Sequence, residues 1–418
     1  MATRVIIYSG KGGTGKTTVS AATAAMIASQ GKRVLIMSSD PAHSLSDVLG
    51  QAISRDQVTL LAPNLFGLEV DTIYEMRKKV SGYQQFIATT YENQGIGSSV
   101  AAELANQPGM DEILALNRLR EEYNSKRWDC IIVDTAPTGN TLRLLAYPDM
   151  IVGGSTGRNF FKVYRGFSSM VRPFRQQTPN DEFFKEVNNL LDMMGMLSQF
   201  IVSTDLTVRL VLNPEKLPVM ETKRSYTFLS LYGIHMDAVI INKILPRNKE
   251  LGAYFDYWVN LQAKYIQEVE ESFAPMPIFS SVMEDEEPIG VAKLRPVAER
   301  LYGLCNPMAN LYDRQLIWVE DLPSADSRKS GSTDRRQLCV YLPFIDEHDE
   351  IYISRAGTDV NVTAGRVQRA VSLPRILLDS ELGTFYYEDG VLRMEFIERP
   401  AEEIAWEDDP FFAGSKLN

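Results

Sequence analysis

The 418-residue sequence predicts an α/β fold, a doubly wound and mostly parallel sheet interrupted by helical insertions, followed by a separate all-β sandwich. Three observations carry this expectation. From residue 1 to about 315, short β-branched runs alternate with longer helical patterns. Within that span residues 73–125 and 150–200 lack convincing strands and are rich in Phe, Met and Leu at mixed spacing, which marks a helical subdomain outside the sheet. Beyond residue 336 the hydrophobic period drops to two. The predicted division is 1–320 for the sheet domain, 321–335 for a linker, 336–400 for the sandwich and 401–418 for an acidic tail. A length of 418 also suits two or three domains better than one.

Taken in order, Val5 to Tyr8 is the first predicted strand, and a glycine-rich loop leads from it into a helix. Val34 to Met37, Cys130 to Val133, Val208 to Leu212 and Val239 to Ile241 read as further strands of the same sheet. Their apolar character, interrupted among them by Arg209, is that of parallel strands covered on both faces. The segment SADSRKSGSTDRR after Pro323 has a flexible linker's composition. After it, Leu338, Val340 and Leu342 alternate with Gln337, Cys339 and Tyr341, and the pairs Ile351/Ile353, Val360/Val362 and Val371/Leu373 continue the alternation. Asp389-Gly390 between two such runs is the chain's strongest hairpin signal.

Composition narrows the partners. Forty-three basic against 54 acidic side chains leave a net charge of −11, which argues against nucleic acid. Three dispersed cysteines, Cys130, Cys305 and Cys339, do not describe a disulfide framework and suit a reducing compartment, cytoplasmic or an equivalent such as stroma if a presequence is missing. The most apolar stretch, near Phe200 to Leu212, is broken by Asp205 and Arg209, so no membrane span is expected.

The chemistry concentrates in three motifs. Gly10-Lys11-Gly12-Gly13-Thr14-Gly15-Lys16-Thr17-Thr18 lies between a predicted strand and a predicted helix, the setting of a P-loop. Its glycines let backbone N–H groups approach phosphate, Lys16 neutralises β/γ oxygens, and the Thr17 hydroxyl can ligate Mg²⁺. ATP and Mg²⁺ are thus the expected cofactors. Asp40, at the C-terminal end of the second strand in Asp40-Pro41-Ala42-His43-Ser44, is the candidate general base that orients water for attack on the γ-phosphate; a helix cap is its competing reading. Asp134 ends a buried strand and is the candidate second carboxylate for Mg²⁺, both acids acting through metal-bound water.

KGGTGKTT, DPAHSLSD and DTAPTGNTLR, in this order, resemble the arsenite-pump ATPases and the ATPases that target tail-anchored proteins. The resemblance covers residues 1 to about 315 and implies a P-loop NTPase fold, ATP hydrolysis and a homodimer closed over nucleotide. It further implies that Lys11, the extra lysine of the deviant loop, reaches the partner's phosphates, and that Asn242 and Glu215 bind the adenosine moiety. Glu215 also reads as an ordinary helix-start residue. Arsenite-stimulated pumps carry two ATPase halves and a cysteine triad, neither of which this chain has. The eukaryotic targeting ATPases clamp zinc with a Cys-x-x-Cys that is absent near residues 245–275, so no zinc is expected.

Residues 150–200 carry Met170, Met193, Met194, Met196, Phe160, Phe161 and Phe167. The flexible methionine side chain suits a groove for varied apolar helices, and the resemblance implies such a groove for hydrophobic transmembrane clients. Ordinary core packing is the competing reading. Residues 336–399 resemble the α-crystallin domain of small heat-shock proteins, against a plain bracing sandwich. The sequence therefore points to a homodimeric Mg²⁺-ATPase that binds and releases transmembrane segments and meets the membrane only transiently. A partitioning-type regulatory ATPase or an anion (arsenite) pump subunit is the alternative.

Overall fold

In the computed structural model, residues 3–40, 44–72, 74–75, 110–135, 145–146, 148–149, 181–247, 252–322, 335–346, 349–365 and 367–398 are described. The chain forms two compact units, Met1–Arg314 and Gln315–Asn418.

In the first unit β1 (Arg4–Ser9) runs into α1 (Lys16–Ser29), then β2 (Val34–Ser38), α2 (Ser44–Leu49) and the pair β3 (Thr59–Ala62) and β4 (Leu65–Glu69). After α3 (Met110–Asn124) come β5 (Cys130–Asp134), α4 (Asp181–Ile201), β6 (Leu206–Leu212), α5 (Lys216–Leu231) and β7 (Met236–Ile244). The unit continues with α6 (Gly252–Phe273), β8 (Ile278–Val282) and α7 (Val291–Tyr302). Its eight strands form one sheet in the order β3-β4-β2-β5-β1-β6-β7-β8, parallel throughout except for the antiparallel β3–β4 edge. Asn64 turns that edge at φ 63, a conformation asparagine tolerates better than most residues.

The central strands are buried along their whole length, as continuous apolar runs such as RVIIYS and CIIVD require. One face is covered by α1 and α7, whose Ile27, Leu294 and Leu301 join Ile6, Ile36 and Val211 in one core cluster. The strand order changes direction around β1, so the loop after β1 opens at the C-terminal edge of the sheet, where open α/β sheets bind ligands.

A buried charge cluster lies within this unit. Arg209 on β6 is fully buried and donates to both carboxylate oxygens of Asp237 on β7, each at 2.9 Å. Arg4 on β1 reaches the same carboxylate at 3.1 Å. Beyond α7 the chain is held by the same pair, for Arg209 also donates to the Ala309 carbonyl and the Leu311 N–H donates to Asp237, both at 3.4 Å.

Where the sequence predicts helical insertions, α3 and α4 supply helix, and they pack through Ile113, Met194 and Leu197. Met170, Phe160, Phe161 and Phe167 lie outside the described residues.

The second unit comprises β9 (Ile317–Asp321), β10 (Arg335–Tyr341), β11 (Ile351–Ala356), β12 (Asp359–Ala364), β13 (Val367–Ser372), β14 (Ser380–Glu388) and β15 (Val391–Glu398). They form two antiparallel sheets, β14-β15-β10-β9 and β11-β12-β13. The predicted hairpin turn is present, with Asp389 at φ 51 and Gly390 at φ 74, the left-handed pair of a type I′ turn. Ile317–Asp321 falls almost wholly inside the span 1–320 that sequence assigns to the first domain, yet it pairs with β10 and belongs to the β unit. The reason is that pairing partners far along the chain leave no local signal.

Candidate functional site

The glycine-rich loop has the backbone its composition demands. Gly13 and Gly15 sit at φ 81 and 85, and Gly10 at φ 151. A Cβ on Gly10 would come within 2.1 Å of the Val211 carbonyl and one on Gly15 within 2.3 Å of Asn242 Nδ2, so a larger residue would have to displace the β6 backbone at the first position and the Asn242 amide at the second. α1 starts at Lys16 with no side-chain cap and no acidic residue in its first turn, which includes Thr18, leaving its positive end to an anion. The Thr14 hydroxyl donates to the Lys11 carbonyl at 2.9 Å, and Lys16 Nζ donates to the same oxygen at 3.3 Å. Burial lowers the Lys16 pKa, while the Asp134 and Asp40 carboxylates pull it back up.

Thr17 Oγ1 donates to Asp134 Oδ2 at 2.8 Å and lies 3.3 Å from the Ser44 hydroxyl, which donates to Asp40 Oδ2 at 3.3 Å. β2 and β5 are neighbours in register at Ser38 and Asp134, which is why residues almost a hundred positions apart share one site. Burial pushes the Asp134 carboxyl up to about 7; the Thr17 hydrogen bond and Lys16 oppose the shift and Asp40 adds to it. Asp134 Oδ1 is buried without a hydrogen-bond partner. An orphaned carboxylate oxygen beside a threonine hydroxyl, all hard oxygen donors, fits a hydrated Mg²⁺. Among the described residues no group of three or more His, Cys, Asp or Glu gathers as a cation site.

The other predicted residues divide. Asn242 is mostly buried at the end of β7 and donates Nδ2 to the Thr14 carbonyl at 2.8 Å, so it touches the loop directly. Glu215 is exposed, caps α5 with its backbone at φ −136 and makes no side-chain capping bond. The register of Leu212 with Ile241 nevertheless brings residues 213–215 out beside Asn242 at the same sheet edge. Lys11 pairs with Glu221 of α5 at 3.4 Å, both side chains being partly exposed.

Three participants were not singled out by sequence: Ser44, Glu221 and Lys243, whose Nζ donates to the Gly13 carbonyl at 2.8 Å. Ser44 and Lys243 stand within or beside motifs that sequence does pick out, whereas Glu221 carries no signal. Of the proposed groove residues on α4, Met194 is buried against α3 and Met193 is half-buried on the same cluster, the positions the core reading assigns them. Met196 faces outward, 45% exposed, 3.2 Å from the Arg120 guanidinium. Among the described residues no helix is long and apolar enough to cross a membrane.

The profile of the anion-transporting ATPase family matches residues 3–303, and that of the HSP20-like domain found in ArsA matches residues 333–396. The chain is 31% identical to a Chlorobaculum tepidum protein named "Putative arsenical pump-driving ATPase", covering 94% of this chain and 96% of the relative. It is 30% identical to "ATPase get3" of Pyrenophora tritici-repentis, covering 71% of this chain and 91% of that one. It is 28% identical to "ATPase ASNA1 homolog 1" of Paramecium tetraurelia, with 71% and 91% covered. The phosphate-loop geometry, the two carboxylates and the matched span agree: the chain belongs to the anion-transporting ATPase family and carries an HSP20-like domain behind its ATPase unit.

Proposed function

We propose that the protein is a homodimeric, Mg²⁺-dependent ATP hydrolase that binds and releases hydrophobic transmembrane segments. The observation that carries the hydrolase reading is the chain Asp134–Thr17–Ser44–Asp40 beside the buried Lys16. Loop N–H groups and Lys16 hold the phosphates, Thr17 and Asp134 hold the hydrated metal, and Asp40 orients water for in-line attack. Mg²⁺, when bound, neutralises charge developing on the β- and γ-phosphate oxygens. The water's proton passes toward the Asp40 carboxylate as its oxygen attacks phosphorus, and ADP leaves. Lys11, partly exposed and paired with Glu221, would serve another copy's nucleotide, a role that the resemblance to dimeric ATPases supports.

Asp40→Asn keeps the shape and removes the base. Nucleotide affinity should persist while phosphate release falls by about 10²-fold or more; unchanged turnover would assign Asp40 to capping. The client half of the proposal rests on the resemblance to targeting ATPases and on Met196, the outward methionine of α4. Met196→Asp should reduce capture of a 20-residue transmembrane helix in detergent-free solution with thermal stability unchanged, and undiminished capture would remove α4 from the client surface.

A second reading has one observation in its favour, the arsenical-pump name of a relative matched over 94% of the chain. Against it, Cys130 and Cys339 are fully buried within their strands, out of reach of a dissolved oxyanion. Arsenite or antimonite should therefore leave the hydrolysis rate unchanged; a severalfold stimulation would favour the pump.

A further inference from the structure

Two carbonyls of the phosphate loop are engaged from β7, that of Thr14 by Asn242 Nδ2 and that of Gly13 by Lys243 Nζ, each at 2.8 Å. The family resemblance gives Asn242 a role at the nucleotide and gives Lys243 none. Its backbone is unusual: φ is 57, the left-handed region that residues with a Cβ enter only when the surroundings over-determine it. Here they do. Gln262 of α6, itself mostly buried, donates Nε2 to the Lys243 carbonyl at 3.3 Å and accepts the Leu245 N–H at 2.8 Å, gripping the chain on both sides of Ile244. The strand then resumes its pairing with β8, Ile244 opposite Val282, across a register shift.

The left-handed residue turns the lysine out of the strand's alternation and lays it across the phosphate loop. A Cβ built on Gly15 would meet Asn242 Nδ2 at 2.3 Å and Lys243 Cε at 3.9 Å, so both side chains run along that part of the loop. In a trans peptide unit the carbonyl and the N–H point in opposite directions. Fixing the Gly13 carbonyl therefore fixes the Thr14 N–H on the opposite side, and fixing the Thr14 carbonyl does the same for the Gly15 N–H. The Thr14 N–H now rests on the Lys11 carbonyl at a long 3.4 Å, a weak bond that a phosphate oxygen would outcompete.

We propose that Lys243 is a positioning residue for the nucleotide: by tying the Gly13 carbonyl outward, it and Asn242 pre-orient consecutive loop N–H groups for the phosphates. This deepens the ATPase reading and rests on it. The expected signature is a loss of ground-state binding, because the bond exists before nucleotide arrives and lowers the ordering cost of the loop.

The test compares Lys243→Gly, Lys243→Asn and Lys243→Met by titration with MgATP and by steady-state hydrolysis. Glycine and asparagine accept φ 57, so Lys243→Gly should melt without nucleotide at or above the wild-type temperature. Its Kd and KM for ATP should nevertheless rise roughly tenfold, with kcat changing less. Lys243→Met keeps the aliphatic stem and loses only the ammonium, so it should show the same rise, and Lys243→Arg should recover part of it. Wild-type ATP affinity in the glycine and asparagine variants, or in the methionine variant alone, would overturn the proposal. Failure of the wild-type protein to bind MgATP, or equal binding by Lys16→Ala, would instead overturn the underlying ATPase reading.

Discussion

Asp134 combines a fully buried carboxyl, one oxygen bonded to Thr17 and the other unpartnered. Its pKa stands near 7 against an ordinary 3.8. For an acid raised on folding, the unfolded chain releases its proton between about pH 4 and 7 while the folded chain still holds it, so stability in the absence of nucleotide falls as pH rises through that window. Asp134→Asn removes this linkage. The variant should melt above the wild type at pH 8 and converge with it near pH 4, in thermal unfolding without nucleotide or Mg²⁺. Parallel curves from pH 4 to 8 would show that the carboxyl is ionised in the folded protein. Lys16 and Asp134 were legible in the sequence because loop and strand-end motifs place them locally. Lys243 was not, since its role depends on a left-handed backbone that Gln262, nineteen positions on, holds in place.

At the scale of elements, α4 offers the sharpest contrast. Met194 is buried against Ile113 and Leu197, whereas Met196 is 45% exposed. Met194→Ala should cost about 2–4 kcal/mol of unfolding free energy in urea, and Met196→Ala should stay within about 0.5 kcal/mol of wild type. Equal costs would mean that the α3–α4 contact is not formed in solution. The strands β1, β2, β5, β6 and β7 were readable because parallel strands buried on both faces are largely apolar runs, even where β6 and β7 carry Arg209 and Asp237. β3, β4 and β8 escaped notice for identifiable reasons: TLLA is short and half-exposed at a sheet edge, LFGLE carries a glycine, and IFSSV is half polar. In the second unit the alternation around Leu338 assigned Cys339 to the opposite face. Cys339 is nevertheless as buried as Leu338 and Val340, lying between the large residues Trp318 on β9 and Arg393 on β15 that stand opposite it.

For the molecule as a whole, a single phosphate loop with Lys11 turned toward Glu221 is expected to complete its site in a pair. With Mg²⁺ and a non-hydrolysable ATP analogue the particle mass should approach twice the 47.0 kDa of one chain. Lys11→Ala should lower turnover more than affinity, since its charge acts on the transition state; a strict monomer under those conditions would remove the dimer. The cluster around Arg209 has a consequence of another kind, for where the ATPase can be cut. The match to the family's ATPase profile ends at residue 303, but Arg209 and Asp237 still draw on Ala309 and Leu311 beyond that point. A fragment ending at 303 leaves a buried ion pair short of two backbone partners and should aggregate or melt well below one ending at 314, where the first unit closes with both partners retained.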